Sequence, residues 1–421
     1  MSHNAELIAV GTELLLGNIA NTDAQMLSKG LSALGINVFY HTVVGDNPER
    51  LKAAVALAKT RADIIITTGG LGPTCDDLTK NVLAECFGKK LVYDEESAAR
   101  IRAYFDRLHT NRPMTENNLQ QAYLPEGCTI LSNDWGTAPG CAFEADGVHV
   151  IMLPGPPSEC APMFEHRAAP YLRSLSDGTI ASRTLRIFGM GESSVEARLR
   201  DRMNSMQNPT LAPYAKTGEV ELRITAKADT LGEAQALIAP VEKELCEMFG
   251  PLVYGADVDS LEQVVAMHLK LKGLTLGCAE SCTGGLAAKR MTDLPGASAV
   301  FDFGAVTYSN AMKAKALGID PGLIEEHGAV SEQVARAMAE GVRAFSGSDV
   351  GIGITGVAGP DGGTEDKPVG TVYIGLADGK ETRVQLHRLD SKTRGRDMIR
   401  MFAASRAFDM LRRYLEDTSA G

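Results

Sequence analysis

The sequence predicts an α/β protein of three units: a doubly wound sheet at the N-terminus, a small α+β unit in the middle and a second α/β unit at the C-terminus. Three observations carry this. Strand and helix patterns alternate through residues 6–90, the alternation stops near residue 172, and it resumes after Ser260 to end in a long helix. At 421 residues the chain also exceeds what one ordinary core spans. The boundaries are expected at 1–170, 171–256 and 257–421.

Each element follows from local pattern. "ELIAV" reads as a buried strand, "GTELLLG" as a loop, and "NTDAQMLSKGLSALG" as an amphipathic helix stopped by glycine. "NVFYHTVV" is a second strand. In "DNPERLKAAVALAKT" Asn47 is an N-cap and Pro48 a first helical residue. "ADIIITT" is a third strand, and "GGLGPTCDDLTKNVLAECFG" runs from a glycine-rich turn into a helix. Strands alternating with helices require parallel crossovers, hence a sheet covered on both faces.

The middle unit reads "TLRIFG", a helix opening at the capping box Ser193-x-x-Glu196, then "EVELRITAKA", a helix over "LGEAQALIAPVEKELCEMFG", and "LVYG". This order resembles a split βαβ unit with one strand between the helices unplaced. The third unit opens at a capping box, "SLEQ", and runs through "LTLGCAES", "VFDFGAVTYS", "VGIGITG", "GTVYIGLA" and "ETRVQLHRL" to the terminal helix. The connector "GVAGPDGGTEDKPVG" has the composition of a functional loop.

Composition narrows the function. A net charge of −11 lacks the basic surplus of a general nucleic-acid binder, though backbone N–H groups can still bind small phosphates locally. No basic leader precedes an apolar run, and no run approaches the ~20 residues of a membrane span. The 8 cysteines form no Cys-x-x-Cys pair and suit a reduced interior. A cytoplasmic protein with no membrane contact and no direct nucleic-acid contact is expected.

In "TTGGLGPTCDD", Gly69, Gly70 and Gly72 let backbone approach a ligand ahead of a helix N-terminus, the physics of a phosphate cradle. The spacing matches neither of the common nucleotide fingerprints. Asp76 and Asp77 are expected in the first helical turn. There they either favour the helix dipole or hold a divalent cation beside a pyrophosphate. Glu13 should reach the same sheet edge.

"GTELLLG", "TTGGLGPTCDDLT", "NDWGTAPG" and "MLPGPPSE" resemble, in this order, the N-terminal domain of the CinA (competence/damage-inducible) family, a domain similar in fold to the MoaB/MogA molybdopterin-binding proteins. The resemblance implies a metal-dependent ADP-ribose pyrophosphatase that yields AMP and ribose 5-phosphate. A divalent ion, cobalt or magnesium, would sit on Asp76 and Asp77, and the substrate on Glu13, Gly69, Gly70, Gly72 and Thr74. Cys160 departs from the methionine the family favours.

"LGCAESCTGGLAAKRM" leaves three readings open: Ser281 as nucleophile, Cys282 as nucleophile, or Thr283-Gly284-Gly285 as a tight turn only. A serine needs a base, and neither His327 nor His387 has a legible partner. Lysine serves only where burial lowers its pKa. By residue pattern alone Lys313 reads as a solvated helix residue and Tyr308 as part of an amphipathic strand.

"AESCTGG", "TYSNAMK", "GITGVAGPDGG" and "KPVGTVYIG" resemble the C-terminal domain of the same family, the PncC type of nicotinamide mononucleotide amidohydrolase. The resemblance implies Ser281, Tyr308 and Lys313 as the catalytic set, with Cys282 a neighbour and no cofactor. It further implies that Cys282, Thr283, Gly284 and Gly285 line the substrate, their backbone N–H groups acting as oxyanion donors. Thr355 and Arg396 are the candidates for the substrate's 5′-phosphate. The expected whole is a homodimeric bifunctional hydrolase of pyridine nucleotides. The alternatives are a molybdopterin-type cofactor-binding protein and a non-catalytic partner in competence or DNA damage.

Overall fold

A computed structural model describes residues 3–107, 114–175, 178–389 and 395–417. Two compact units emerge, one of Met1–Ser182 with Thr225–Leu237, the other of Arg183–Ile224 with Ile238–Gly421.

The first unit is built on a six-stranded sheet. Its strands are β1 (Asn4–Val10), β2 (Asn37–Val44), β3 (Ile64–Thr68), β6 (Thr129–Leu131), β7 (Gly140–Ala145) and β8 (Val148–Leu153); β4 (Leu91–Tyr93) and β5 (Tyr123–Pro125) form a separate pair. The order is β2-β1-β3-β8-β7-β6, parallel from β2 to β8 and antiparallel beyond. Alternating side chains feed two cores. Leu7, Ile64, Ile66 and Ile151 pack on one face, Ile8, Ile65 and Val150 on the other, which is why these strands read as continuous apolar runs.

Helix starts follow their caps. Asn21 Oδ1 accepts from Ala24 N–H at 3.1 Å and Asn47 Oδ1 from Arg50 N–H at 3.0 Å. Within "GTELLLG", Thr12–Leu15 forms a single helical turn instead of a loop.

The small sheet comprises β9 (Thr179–Phe188), β10 (Thr210–Lys216), β11 (Glu219–Ala228) and β12 (Val253–Ala256), in the order β10-β11-β9-β12. β10 is the strand that sequence pattern leaves unplaced, and the order is that of a split βαβ unit. The first helix begins at Glu192, one residue before the expected cap Ser193. Extended Gly191 takes the N-cap position, its carbonyl accepting from Ser194 and Val195. Glu196 pairs instead with Arg200 one turn on.

The C-terminal sheet has β13 (Leu276–Glu280), β14 (Phe301–Val306), β15 (Val350–Gly356), β16 (Thr371–Ala377) and β17 (Thr382–Arg388), ordered β14-β13-β15-β16-β17. β14, β13 and β15 are parallel; β16 and β17 are antiparallel additions. Ser260 caps the Leu261–Lys272 helix as expected, accepting from Gln263 N–H at 3.3 Å; the Gln263 side chain returns to Asp259 N–H.

Glycines in "VGIGITG" and "GTVYIGLA" form a floor for the Glu332–Ser346 helix. A Cβ on Gly351 would stand 2.2 Å from Ala339 O, one on Gly353 2.6 Å from Ala335 O, and one on Gly375 2.4 Å from Ala335 O. Ile352, Ile354 and Ile374 point the other way, into the core containing Phe408 and Leu411 of the terminal Arg396–Asp417 helix. Valine is the better strand former, yet Gly353→Val should destabilise the full chain by about 2 kcal/mol or more, because the helix backbone leaves no room. A lowered denaturant midpoint by circular dichroism checks this.

Candidate functional sites

The C-terminal ends of β13, β14 and β15 bring three sequence-distant stretches together. Glu280 stands in register with Val306 and Ile354, so Ser281, Thr307 and Thr355 follow at one sheet edge. Such edges of parallel strands are where α/β proteins bind ligands. Ser281 N–H donates to Ile354 O at 2.9 Å, and Gly284 and Gly285, at φ +62° and +91°, turn the chain into the Leu286–Thr292 helix.

Lys313 is 1% exposed, not solvated. Its Nζ lies 3.1 Å from Ser281 Oγ, 2.9 Å from Thr307 O and 3.2 Å from Tyr308 O. Burial lowers its pKa from the ordinary lysine value. The three acceptors match an ammonium's three donors; once neutral, the amine can keep two N–H bonds to the carbonyls and turn its lone pair to the serine hydroxyl. Cys282 is buried as well, and its thiol is pushed up to about 12, so it carries no thiolate at neutral pH.

Tyr308 lies beyond the end of β14, 59% exposed. Its backbone carbonyl serves Lys313, whereas its hydroxyl accepts from Arg396 Nη2 at 3.0 Å. Arg396 also donates to Gly359 O. Thr355 is buried with its hydroxyl donating to Ala329 O at 2.7 Å. The geometry therefore brings Ser281 and Lys313 into contact, places Tyr308 and Arg396 together beside them, and turns Thr355 onto backbone.

Two further groups were not singled out in the sequence. Arg400 donates Nε and Nη2 to Thr283 O at 3.2 and 2.9 Å. Its i, i+4 spacing from Arg396 was the available signal. Glu280, fully buried, accepts from Gly285, Ala287 and Ala288 N–H; Gly284 N–H donates to Ser281 O, and the Cys282 and Thr283 N–H groups face the Cys282 sulfur.

In the first unit, Glu13, Gly69, Gly70, Gly72, Asp76 and Asp77 line one cavity of about 560 Å³ at the corresponding sheet edge. Asp23, Asp46 and Glu159 line it too and were not singled out. Thr74 faces Asp77, its N–H and Oγ1 donating to Asp77 Oδ2 at 2.8 and 2.6 Å. Asp76 and Asp77 precede the helix, which starts at Thr79, and do not stand in its first turn. Thr79 sets that start by bonding Gly69 O and Gly70 O through its hydroxyl and N–H. Gly69 and Gly70 have φ +88° and +67°, and a Cβ on Gly69 would stand 2.3 Å from Val10 O.

Burial raises Asp23 to about 6 and lowers Lys80, which is tied to Gln120 O and Gln121 O, to about 8. Among the described residues no three His, Cys, Asp or Glu side chains cluster tightly enough to hold a metal by themselves. No described helix is long and apolar enough to cross a membrane.

Comparison with known proteins covers the same stretches. Residues 6–174 match the profile described as "Probable molybdopterin binding domain", 182–255 "Damage-inducible protein CinA KH domain", and 258–415 "CinA C-terminal domain". A CinA-like protein of Dictyoglomus turgidum is 50% identical over 410 residues, 97% of this chain and 98% of its own length. Another from Kosmotoga olearia is 48% identical over 411 residues, 98% of each. The crystal structure of a CinA protein of Thermoplasma acidophilum is 33% identical, covers 40% of this chain and 98% of its own, and has a TM-score of 0.37.

The two thiol environments should separate in one experiment. Cys75 is exposed and Cys282 buried. Brief iodoacetamide treatment of the folded protein at pH 8, followed by peptide mass spectrometry, should modify Cys75 and spare Cys282.

Proposed function

This chain belongs to the CinA family, and from that premise we propose that it is a bifunctional hydrolase, deamidating nicotinamide mononucleotide in its C-terminal unit and cleaving ADP-ribose at its front cleft. The observation that carries the first activity is the buried contact of Lys313 Nζ with Ser281 Oγ at 3.1 Å.

Neutral Lys313 takes the Ser281 proton as Oγ attacks the carboxamide carbon. The developing oxyanion is met by the N–H groups of Cys282 and Thr283. Lys313 returns the proton to the departing nitrogen, and ammonia leaves. Water then opens the acyl ester, with Lys313 again the base, and nicotinate mononucleotide departs. Arg396, at the mouth with Tyr308, takes the 5′-phosphate; Thr355 is less suited because its hydroxyl is already engaged.

At the front cleft the donors are hard carboxylate oxygens, which suit magnesium or a similar divalent ion. Two carboxylates are enough where substrate phosphates supply the remaining ligands. Asp76 and Asp77 would hold it, and bound there it would offset pyrophosphate charge and activate water. Gly69 N–H is bonded to Leu153 O, so the glycine turn would offer the phosphates the backbone N–H groups that follow it, from Gly70 on. A molybdopterin-type ligand in the same cleft is the second reading, favoured by the profile matched over residues 6–174.

Ser281→Ala should reduce ammonia release from nicotinamide mononucleotide by about a thousandfold or more, whereas Cys282→Ala should keep most of it. Lys313→Arg should fall within about tenfold of the serine variant, since arginine cannot become neutral. With the lysine required uncharged, kcat/KM should rise with pH up to Lys313's lowered pKa and level off above it. Near-normal release by folded Ser281→Ala refutes the amidase reading.

ADP-ribose turnover should stop in excess chelator, and Asp77→Asn should lower it by about tenfold or more while leaving ammonia release intact. Binding of a molybdopterin without ADP-ribose turnover selects the second reading.

A further inference from the structure

Glu280 directly precedes the nucleophile, and its side chain is wholly buried. The carboxylate accepts N–H groups from Gly285 at 3.0 Å, Ala287 at 3.1 Å and Ala288 at 2.7 Å. The main chain of the same residue works on the other catalytic partner. Glu280 O accepts Thr307 N–H at 2.8 Å, and Thr307 O in turn accepts Lys313 Nζ at 2.9 Å. One residue thus grips both halves of the site, the turn behind Ser281 with its side chain and the peptide that orients Lys313 with its backbone.

An ordinary helix cap does not require this arrangement. The N-cap of the Leu286–Thr292 helix is Gly285, with no side-chain cap. A serine or aspartate there satisfies the same donors at the surface. A buried carboxylate is costly and survives only where hydrogen bonds replace its water. Here three N–H bonds do so, and they fix the path of residues 281–285 between strand and helix.

Resting on the Ser281–Lys313 reading above, we infer that Glu280 is a positioning residue of the amidase site: its carboxylate sets the turn that aims Ser281 at Lys313. The placement needed is fine, since a shift of about 1 Å at a nucleophile can cost about a hundredfold in rate.

The test uses full-length Glu280→Gln and Glu280→Asp. Glutamine keeps the size but turns an amide donor toward backbone donors; aspartate keeps the charge and is too short to span all three. Each variant is checked for folding by circular dichroism. It is then assayed for ammonia release and for the rate at which a fluorophosphonate labels Ser281, read by mass spectrometry.

Glu280→Gln should lose about ten- to a hundredfold in kcat with KM within about threefold, and labelling should slow by a similar factor; Glu280→Asp should lie between it and wild type. A merely structural acid would lower the melting temperature and leave both rates per folded molecule unchanged. Either variant, folded, with kcat and labelling within about twofold of wild type overturns the assignment. Wild-type protein labelled at Ser281 but inert toward nicotinamide mononucleotide refutes the substrate and not the positioning role, which the labelling rates then decide.

Discussion

A lysine amine held 3.1 Å from a serine hydroxyl and out of water has its pKa lowered by burial. That single contact organises the C-terminal unit. It requires Thr307 O and Tyr308 O as acceptors and the Asn310–Leu317 helix to carry Lys313 inward. It also requires a turn tight enough to keep Ser281 at the end of β13.

The cost of closing that space is met by glycine. The Glu332–Ser346 helix lies on Gly351, Gly353 and Gly375, close enough for its carbonyls to exclude any Cβ. The opposite face of the same strands keeps large aliphatics for the core under the terminal helix. The terminal helix in turn presents Arg396 and Arg400 to the site: one meets Tyr308 and the other holds Thr283 O. Packing on one side of the sheet and polar anchoring at its edge are therefore the work of the same elements.

The front cleft uses a related plan for different chemistry. It too opens at the carboxyl ends of parallel strands, at a glycine turn leading into a helix. There the turn is pinned from behind by Thr79, and the cavity wall is acidic, with Asp46, Asp76 and Glu159 among its carboxylates. A wall of this kind disfavours an anionic ligand unless a cation accompanies it. The rear site, by contrast, buries its acid against helix N–H groups and offers arginine at the mouth.

Local pattern sufficed for much of this. Short apolar runs marked the strands, Asn47 and Ser260 marked helix starts, and glycine pairs marked both turns, because each depends on neighbours a few residues away. Resemblance of motifs supplied Ser281 with Lys313 as a set. Pattern erred at two helix starts: Thr79 takes one from Asp76 and Asp77 by reaching back to Gly69 and Gly70, and Gly191, through its own carbonyl, takes the other from Ser193. Tertiary structure alone decided that Lys313 is buried, that the Tyr308 hydroxyl meets Arg396 across 88 residues of chain, and that Glu280 faces a helix end. Burial and charge environment come from the whole of the packing around a side chain, and residue type carries no record of which distant strand or helix closes over it.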